Sequence, residues 1–478
     1  MRVLAVPCLA LFALFLGAAS CPGSDSPKTA APAAKASQSD GEIEADLRRL
    51  LRFDTETTRS VLRQASATKD RRYLAPFFEL LRFPSSAPRA EVGAAMDAIA
   101  GEQRGGDWAG WYEWLAAHPD VPAAPGFASW KGELYARFVD PAMKRFLDSG
   151  RPSTIRPELI QWGGVKVDGI PALDKAPLVR AKEATYLTAE EPVFGVQIEG
   201  DARAYPLRML DWHEMANDVV GRVPVSLAYC TLCGAGVLYR TDTPRGTLTF
   251  GSSGLLYESN KLMYDRQTGT LWNQLTGEPV NGPLVGSGIK LERLPVVVAS
   301  WGNWQRSHPE TRVLSLATGF ERDYTPGKPY GSYFASPETM FPVHQRSKAL
   351  PEKAWIYALV VGGVPKAYPL DRLVKEGIVN DELGGRKVLV VLEPGAEAQN
   401  RTVRAYDRGD RVFSRNERSF LGVVFLTDQD GQGWRVGEEA LTTPDGKSLP
   451  RLPGHLAYWF GWFSFYPRTL IYGEAGTS

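Results

Sequence analysis

One tetrapeptide occurs twice in this chain and carries its surroundings with it. Ala204-Tyr-Pro-Leu207 returns as Ala367-Tyr-Pro-Leu370, 163 positions later (367 − 204), and the same step takes Asn217-Asp218 onto Asn380-Asp381 and Gly221 onto Gly384. Farther on, Trp301, Trp304, Pro309 and Thr311 match Trp459, Trp462, Pro467 and Thr469 after a few deletions, a step of 158 (459 − 301). Self-similarity at a fixed step is the sequence mark of one structural unit used twice. The runs inside it are short, β-type and punctuated by Gly, Pro and Asp, as where Val193-Phe-Gly-Val-Gln-Ile198 meets Glu199-Gly200-Asp201. Two copies of a β-rich unit are predicted, near 190–345 and 353–473.

What precedes them has another texture. Ile43, Leu47, Leu50, Leu51 and Val61 fall at helical spacing, as do residues in 73–81 and 92–99 and the stripe Trp108, Trp111, Trp114 and Leu115. That stripe is read as core rather than as a partner face. The predicted fold class is α+β: a small N-terminal helical domain at 43–150, then a duplicated β-rich module with copy one at 151–350 and copy two at 351–478.

The amino end reads as an address. Arg2 precedes an apolar run, residues 3–16, which falls short of the roughly 20 residues a bilayer core requires. Gly17-Ala-Ala-Ser20 follows, then Cys21, so residues 1–21 are predicted to be a signal peptide. Ala-Ala-Ser-Cys also resembles a lipobox, whose cysteine becomes lipidated, although Ala18 stands where that pattern prefers Leu. Residues 22–42, rich in Pro, Ala, Ser and Lys, read as a flexible tether. The expectation is an exported protein, in the periplasm or on the outer cell surface, whose membrane partner is reached through a lipid on Cys21. Lys and Arg number 55 against 54 Asp and Glu, without a basic block, and this excludes a nucleic-acid partner.

Four cysteines are too few for a disulfide framework in 478 residues. With Cys8 removed and Cys21 acylated, Cys230 and Cys233 are the two thiols left. Cys230-Thr-Leu-Cys233-Gly234 lies between the β-type runs 223–229 and 235–240, so both thiols are placed on a turn between strands. A thioredoxin-like pair would open a helix, whose N-terminus lowers the first thiol's pKa. A Cys-x-x-Cys-Gly knuckle instead aims two soft ligands at one centre. His213 is the candidate third ligand. At the repeat's register His213 faces Glu376, Cys230 faces Glu393 and Cys233 faces Ala396, so copy two lacks all three. Met263 is a candidate thioether ligand, and Tyr264, Asp265 and Arg266 are candidate pocket residues. The bland readings stand beside these: a satisfied core-edge histidine, a core methionine, and an Asp–Arg pair on a turn. His308 faces Tyr466 in the second copy and reads as architectural, and His344 and His455 are weaker candidates. Phe250-Gly-Ser-Ser-Gly254 reads as a turn between strands before it reads as an anion cradle. The loop 322–330, with Tyr324, Tyr330 and then Tyr333, reads as a lid over a site or as packing on a β-edge. The chain has no Gly-x-Ser-x-Gly elbow, phosphate loop or His-Glu-x-x-His helix.

In order, Trp162-Gly-Gly-Val-Lys-Val-Asp-Gly-Ile-Pro-Ala172, Ala202-x-Ala-Tyr-Pro-Leu207, Trp212-His-Glu214 with Asn217-Asp218, and Tyr229-Cys-x-Leu-Cys-Gly234 form a specific set. Phe250-Gly-x-Ser-Gly-Leu-Leu-Tyr257 and Met263-Tyr-Asp-Arg-x-Thr-Gly-x-Leu-Trp272 complete it. Together they resemble an exported prokaryotic family known as domain of unknown function 3179, most strongly over residues 155–345. Thr231 stands where the family usually has Pro, which leaves both thiols in place. The resemblance implies kinship and assigns no reaction.

Three functions fit these residues. The first is a lipid-anchored metal-binding protein of the cell envelope that holds a transition metal, copper by preference and zinc as the alternative, through His213, Cys230 and Cys233. Such a centre admits a metal-dependent oxidoreductase and a non-catalytic metal holder alike. The second is a thiol–disulfide redox protein. The third is a non-enzymatic envelope interaction module with structural zinc or a static disulfide.

Overall fold

A computed structural model describes residues 38–83, 87–393, 402–415 and 424–474. The predicted signal peptide, Cys21 and most of the predicted tether lie outside the described residues. The first helix, Asp40–Leu50, begins inside the segment read as tether, because Ser39 and Glu42 close a capping box that satisfies free N–H groups of its first turn. Five more helices follow: Thr55–Thr68, Leu74–Leu80, Arg89–Ala100, Trp108–Ala117 and Phe127–Phe138. Asp54 caps the second and Asp107 the fifth. Trp111, Trp114 and Leu115 are buried, and Trp108 stacks on Phe78 at 5.8 Å, so the tryptophan stripe is core.

The helical core does not close on itself. It is continuous with Leu255, Leu262, Tyr264, Leu271 and Val280 of a five-stranded sheet built from Gln161–Trp162, Phe250–Tyr257, Asn260–Asp265, Leu271–Asn273 and Pro279–Asn281. At the seam, fully buried Lys131 pairs with Glu79 at 2.6 Å and donates to the carbonyl of Pro157 at 2.9 Å. Tyr135 donates to the same Glu79 at 2.9 Å.

Helices first and strands afterwards make the protein α+β. Pro192–Ile198 pairs antiparallel with Asp201–Pro206 across the turn Glu199-Gly200, where both residues have positive φ, as a tight two-residue hairpin requires. Helix Leu207–His213 follows, then Met215–Val220 paired with Val223–Cys230. In the second half, Trp355–Val361 pairs with Val364–Pro369, helix Leu370–Glu376 follows, and Ile378–Leu383 pairs with Arg386–Glu393. The strand ending in Cys230 is the middle one of five, with Met215–Val220 on one side and Ala235–Arg240 on the other. From Thr318 to Ala354 the chain forms no strand and one short helix, Gly331–Ala335. Among the described residues no helix is long and apolar enough to cross a membrane.

Candidate thiol site

Cys230 ends its strand opposite Ala235, and Thr231-Leu232-Cys233-Gly234 makes the turn, closed by the Gly234 N–H on the Thr231 carbonyl at 3.3 Å. Gly234 has φ +59°, and a Cβ there would lie 2.7 Å from Trp355 and 3.2 Å from Tyr458, so the knuckle requires glycine twice over. Both cysteines are free and buried, at 1% and 0% exposure, which keeps them from any macromolecular surface. The Cys233 sulfur lies 3.6 Å from the Ser259 carbonyl oxygen, and Asn260 Nδ2 donates to it at 3.3 Å. Asn260 is aimed by Gln274 Oε1 at 2.9 Å, and Gln274 Nε2 is held by the carbonyls of Ala228 and Ala235 on either side of the knuckle.

The two sulfurs differ in acidity. Burial pushes the Cys230 thiol up, but hydrogen bonds from the Cys233 thiol and the Lys261 backbone N–H outweigh it, and Cys230 ends below the ordinary cysteine value. Burial, reinforced by the Cys230 sulfur alongside, holds Cys233 well above that value. A more acidic sulfur beside a less acidic one suits attack on a disulfide by the first and resolution of the mixed product by the second.

Beside the sulfurs, Lys261 Nζ meets Glu214 Oε2 at 3.0 Å, both side chains nearly sealed from solvent. Glu214 follows helix Leu207–His213 with φ +55°, and its N–H closes on the Leu210 carbonyl at 2.7 Å. Gly377 stands in the same place after helix Leu370–Glu376, with φ +72° and its N–H on Leu373 at 2.7 Å. A left-handed conformation suits glycine and costs another residue roughly 1–2 kcal/mol. At Glu214, beside the thiols, that cost is carried where the second half of the chain has glycine. Glu258 and Ser259, the turn that supplies the carbonyl for Cys233, have positive φ, +52° and +55°, as a two-residue hairpin requires.

The second half covers these thiols. A Cβ on Gly461 would lie 2.8 Å from Cys233 Cβ and 3.0 Å from its sulfur, and the Tyr458 N–H donates to the Cys233 carbonyl at 2.8 Å. The long segment after Thr318 covers another side, where Tyr333 Oη donates to the Leu232 carbonyl at 2.7 Å and the Trp212 indole donates to the Asp323 carbonyl at 2.7 Å.

His213 is fully buried and turned toward that segment. Its Nδ1 is 2.8 Å from the Pro171 carbonyl and its Nε2 is 2.6 Å from Tyr324 Oη, so both ring nitrogens are engaged away from the sulfurs. Among the described residues, no three of His, Cys, Asp and Glu gather as a metal-ligand set. The expected grouping of His213 with Cys230 and Cys233 is therefore not assembled; what sits beside the thiols is Glu214 with Lys261. Met263 lies in the same buried apolar cluster as both cysteines. Tyr264 and Arg266 turn to Asp168, at 2.6 and 2.9 Å. Asp265 caps its own turn through Thr268 N and Oγ1, at 2.6 and 2.8 Å, and accepts from the Trp272 indole at 2.9 Å. Phe250–Tyr257 is a bulged strand rather than a turn, with the irregularity between Ser252 and Leu255. His308 stacks on Trp304 at 3.9 Å as Tyr466 does on Trp462 at 4.0 Å, the architectural place expected for it.

Sequence reasoning missed Glu214, Ser259, Asn260, Lys261 and Gln274. Trp212-His-Glu214 did hold a signal, since the repeat sets a glutamate against Gly377, the residue that a left-handed helix end prefers.

No curated protein and no solved structure matches the chain. A family model does match residues 167–469, a span that holds the thiol turn, its neighbour Glu214 and the covering second half. The chain belongs to that family, DUF3179, described as a protein of unknown function.

Proposed function

We propose that Cys230 and Cys233 are the working centre of an exported, lipid-anchored envelope protein and cycle between dithiol and disulfide. The observation that supports this most is the paired setting of the sulfurs: Cys233 is held by Ser259 and Asn260, and Cys230 accepts from it. The co-substrate is a low-molecular-weight disulfide, because sulfurs this deeply buried exclude a folded protein partner. The Cys230 thiolate attacks one sulfur of the small disulfide and expels a thiolate, which takes up a proton. Cys233, losing its proton to the second departing thiolate, then attacks Cys230. The balance is one protein disulfide formed, one small disulfide broken, and two small thiols released.

The test is incubation of the reduced mature protein with oxidised glutathione, with mass spectrometry of the quenched products. Loss of two hydrogens at Cys230 and Cys233 is expected in the wild type, and a trapped glutathione adduct on Cys230 in Cys233→Ser. No change of mass in either protein overturns the reading.

A soft metal ion is the second reading, favoured by the Cys-x-x-Cys-Gly turn and by Met263 in the same apolar cluster. Two thiolates suit Cu(I) before Zn(II). Here His213 would have to leave Tyr324 to join them. Elemental analysis of the wild type beside Cys233→Ser and His213→Ala separates the cases: copper lost in both variants restores the three-ligand site, and copper lost in Cys233→Ser alone leaves a sulfur-only one.

The architecture we propose for this centre is one module used twice, with chemistry kept in the first copy. In support, Met215 opposes Ala228 and Ile378 opposes Val391, while Val193 opposes Pro206 and Ile356 opposes Pro369. Each second pair lies 163 positions after the first. Where the first half has Cys230 the second has Glu393, bound to Arg404 at 2.8 Å in a buried ion-pair network.

A further inference from the structure

A cavity of about 260 Å³ opens between helix Leu207–His213, the covering segment and the second half of the chain. Its walls are aromatic: Tyr229 from the strand that ends in Cys230, Phe334 from the covering segment, and Trp355 and Tyr458 from the second half. Two carboxyl groups also line it, those of Glu191 and Asp211. Asp211 is only 6% exposed; the Tyr229 side chain lies against its carboxyl, while its Oδ1 is buried with no hydrogen-bond partner. A buried oxygen left unpaired costs free energy that folding does not recover, unless something outside the chain supplies the donor.

The charges on the wall show what kind of donor is missing. Arg208 is the cation at the cavity, and Glu191 engages it twice, at 2.6 and 2.5 Å. That pair cancels, so no cation on the wall offsets Asp211, whose carboxyl burial pushes up to about 7. Rings around a buried carboxylate make a setting for an organic cation, because ring faces attract a positive charge and the carboxylate accepts its N–H groups. A metal ion does not suit the place, since with Glu191 committed to Arg208 the one remaining carboxyl among apolar walls offers too few ligands.

We propose that this cavity binds a small primary ammonium compound carrying an apolar or aromatic body, with the ammonium group on Asp211 Oδ1 and the body against Trp355 and Tyr458. The site stands apart from the thiol reading, since no part of it uses Cys230 or Cys233.

The test is calorimetric titration of the mature protein with benzylammonium chloride and, separately, with benzyl alcohol, a neutral compound of nearly the same shape. Benzylammonium is expected to bind, and the alcohol to bind about tenfold more weakly or worse. Asp211→Asn keeps the shape and removes the charge, and is expected to lower benzylammonium affinity by about tenfold or more. Trp355→Leu is expected to weaken it as well, which keeps the test open should Asp211→Asn fail to fold. Absence of benzylammonium binding, equal affinity for the alcohol, or an Asp211→Asn protein with unchanged affinity and an unchanged circular dichroism spectrum would each overturn the proposal.

Discussion

His213 Nε2 and Tyr324 Oη meet at 2.6 Å, joining the end of helix Leu207–His213 to the long segment that lies over the thiol turn. With Nδ1 on the Pro171 carbonyl, the ring carries its proton there and Nε2 accepts from the tyrosine. Thr318 Oγ1 completes the chain at 2.6 Å from the same hydroxyl. Tyr324→Phe deletes this latch and nothing else. It is expected to cost about 1 kcal/mol and to speed alkylation of the native thiols about fivefold, as the cover opens more often. Urea denaturation and timed iodoacetamide labelling check the two parts, and an unchanged labelling rate would show that the segment does not gate the sulfurs.

The unequal thiols lead to unequal labelling. Cys230 lies below the ordinary value of 9.0 and Cys233 above it, so at pH 7.5 iodoacetamide is expected to mark Cys230 first. Cys230→Ser should nearly abolish native-state labelling, whereas Cys233→Ala, which removes the donor to Cys230, should shift its labelling profile to higher pH. Peptide mapping at several pH values reads the order directly.

Lys131 and Glu79 form a sealed ion pair at the seam between the helices and the β-sheet. Removing one partner leaves the other buried and uncompensated, so Lys131→Met is expected to cost about 3–5 kcal/mol. The double replacement Lys131→Met with Glu79→Leu should recover much of that loss. Chemical denaturation of the three proteins measures both, and a single variant as stable as the wild type would mean that water reaches the pair.

Burial, with the Arg293 charge nearby, lowers His455 from 6.5 to about 3. The native state therefore takes up the proton later than the unfolded chain, and the sign follows. His455 weighs nothing against folding above pH 6.5, and stability falls as the pH drops from there toward 3. By pH 5 the loss from this one group is about 2 kcal/mol. The urea midpoint of His455→Gln should depend less on pH between 7 and 5 than that of the wild type.

Tyr205 donates to Asp218 and Tyr368 to Asp381, both at 2.8 Å. Tyr205→Phe and Tyr368→Phe are therefore expected to cost nearly the same, about 1 kcal/mol each. Thermal melts of the two variants that differ widely would show that the two halves do not carry equal load.

The elements legible in the sequence were those whose cause is local. Ile43, Leu47 and Leu50 repeat with helical period and are buried, and the caps Asp54 and Asp107 stand where helices begin. Two β-type runs around Cys-x-x-Cys-Gly made the thiol turn readable, and strands of residues 223–230 and 235–240 do flank it. The third partner was not readable. Scarcity and nearness to the thiols single out His213 in the sequence, yet a residue ending a helix points where its last turn points, toward Pro171 and Tyr324. Chemistry singles out Asp265, and its carboxylate is spent on Thr268 and Trp272 within the same hairpin.

By itself, then, the sequence determined helices before strands, the recurring 163-residue step and the seat of both thiols on a turn, because spacing, capping and turn chemistry act over a few residues. Only the tertiary structure decided the company those thiols keep. Ser259, Asn260 and Lys261 reach them from the next sheet, and Tyr458 and Gly461 close over them from the far end of the chain. Such meetings depend on how sheets stack and on which buried polar groups find partners, and residue spacing along a single chain carries no record of either.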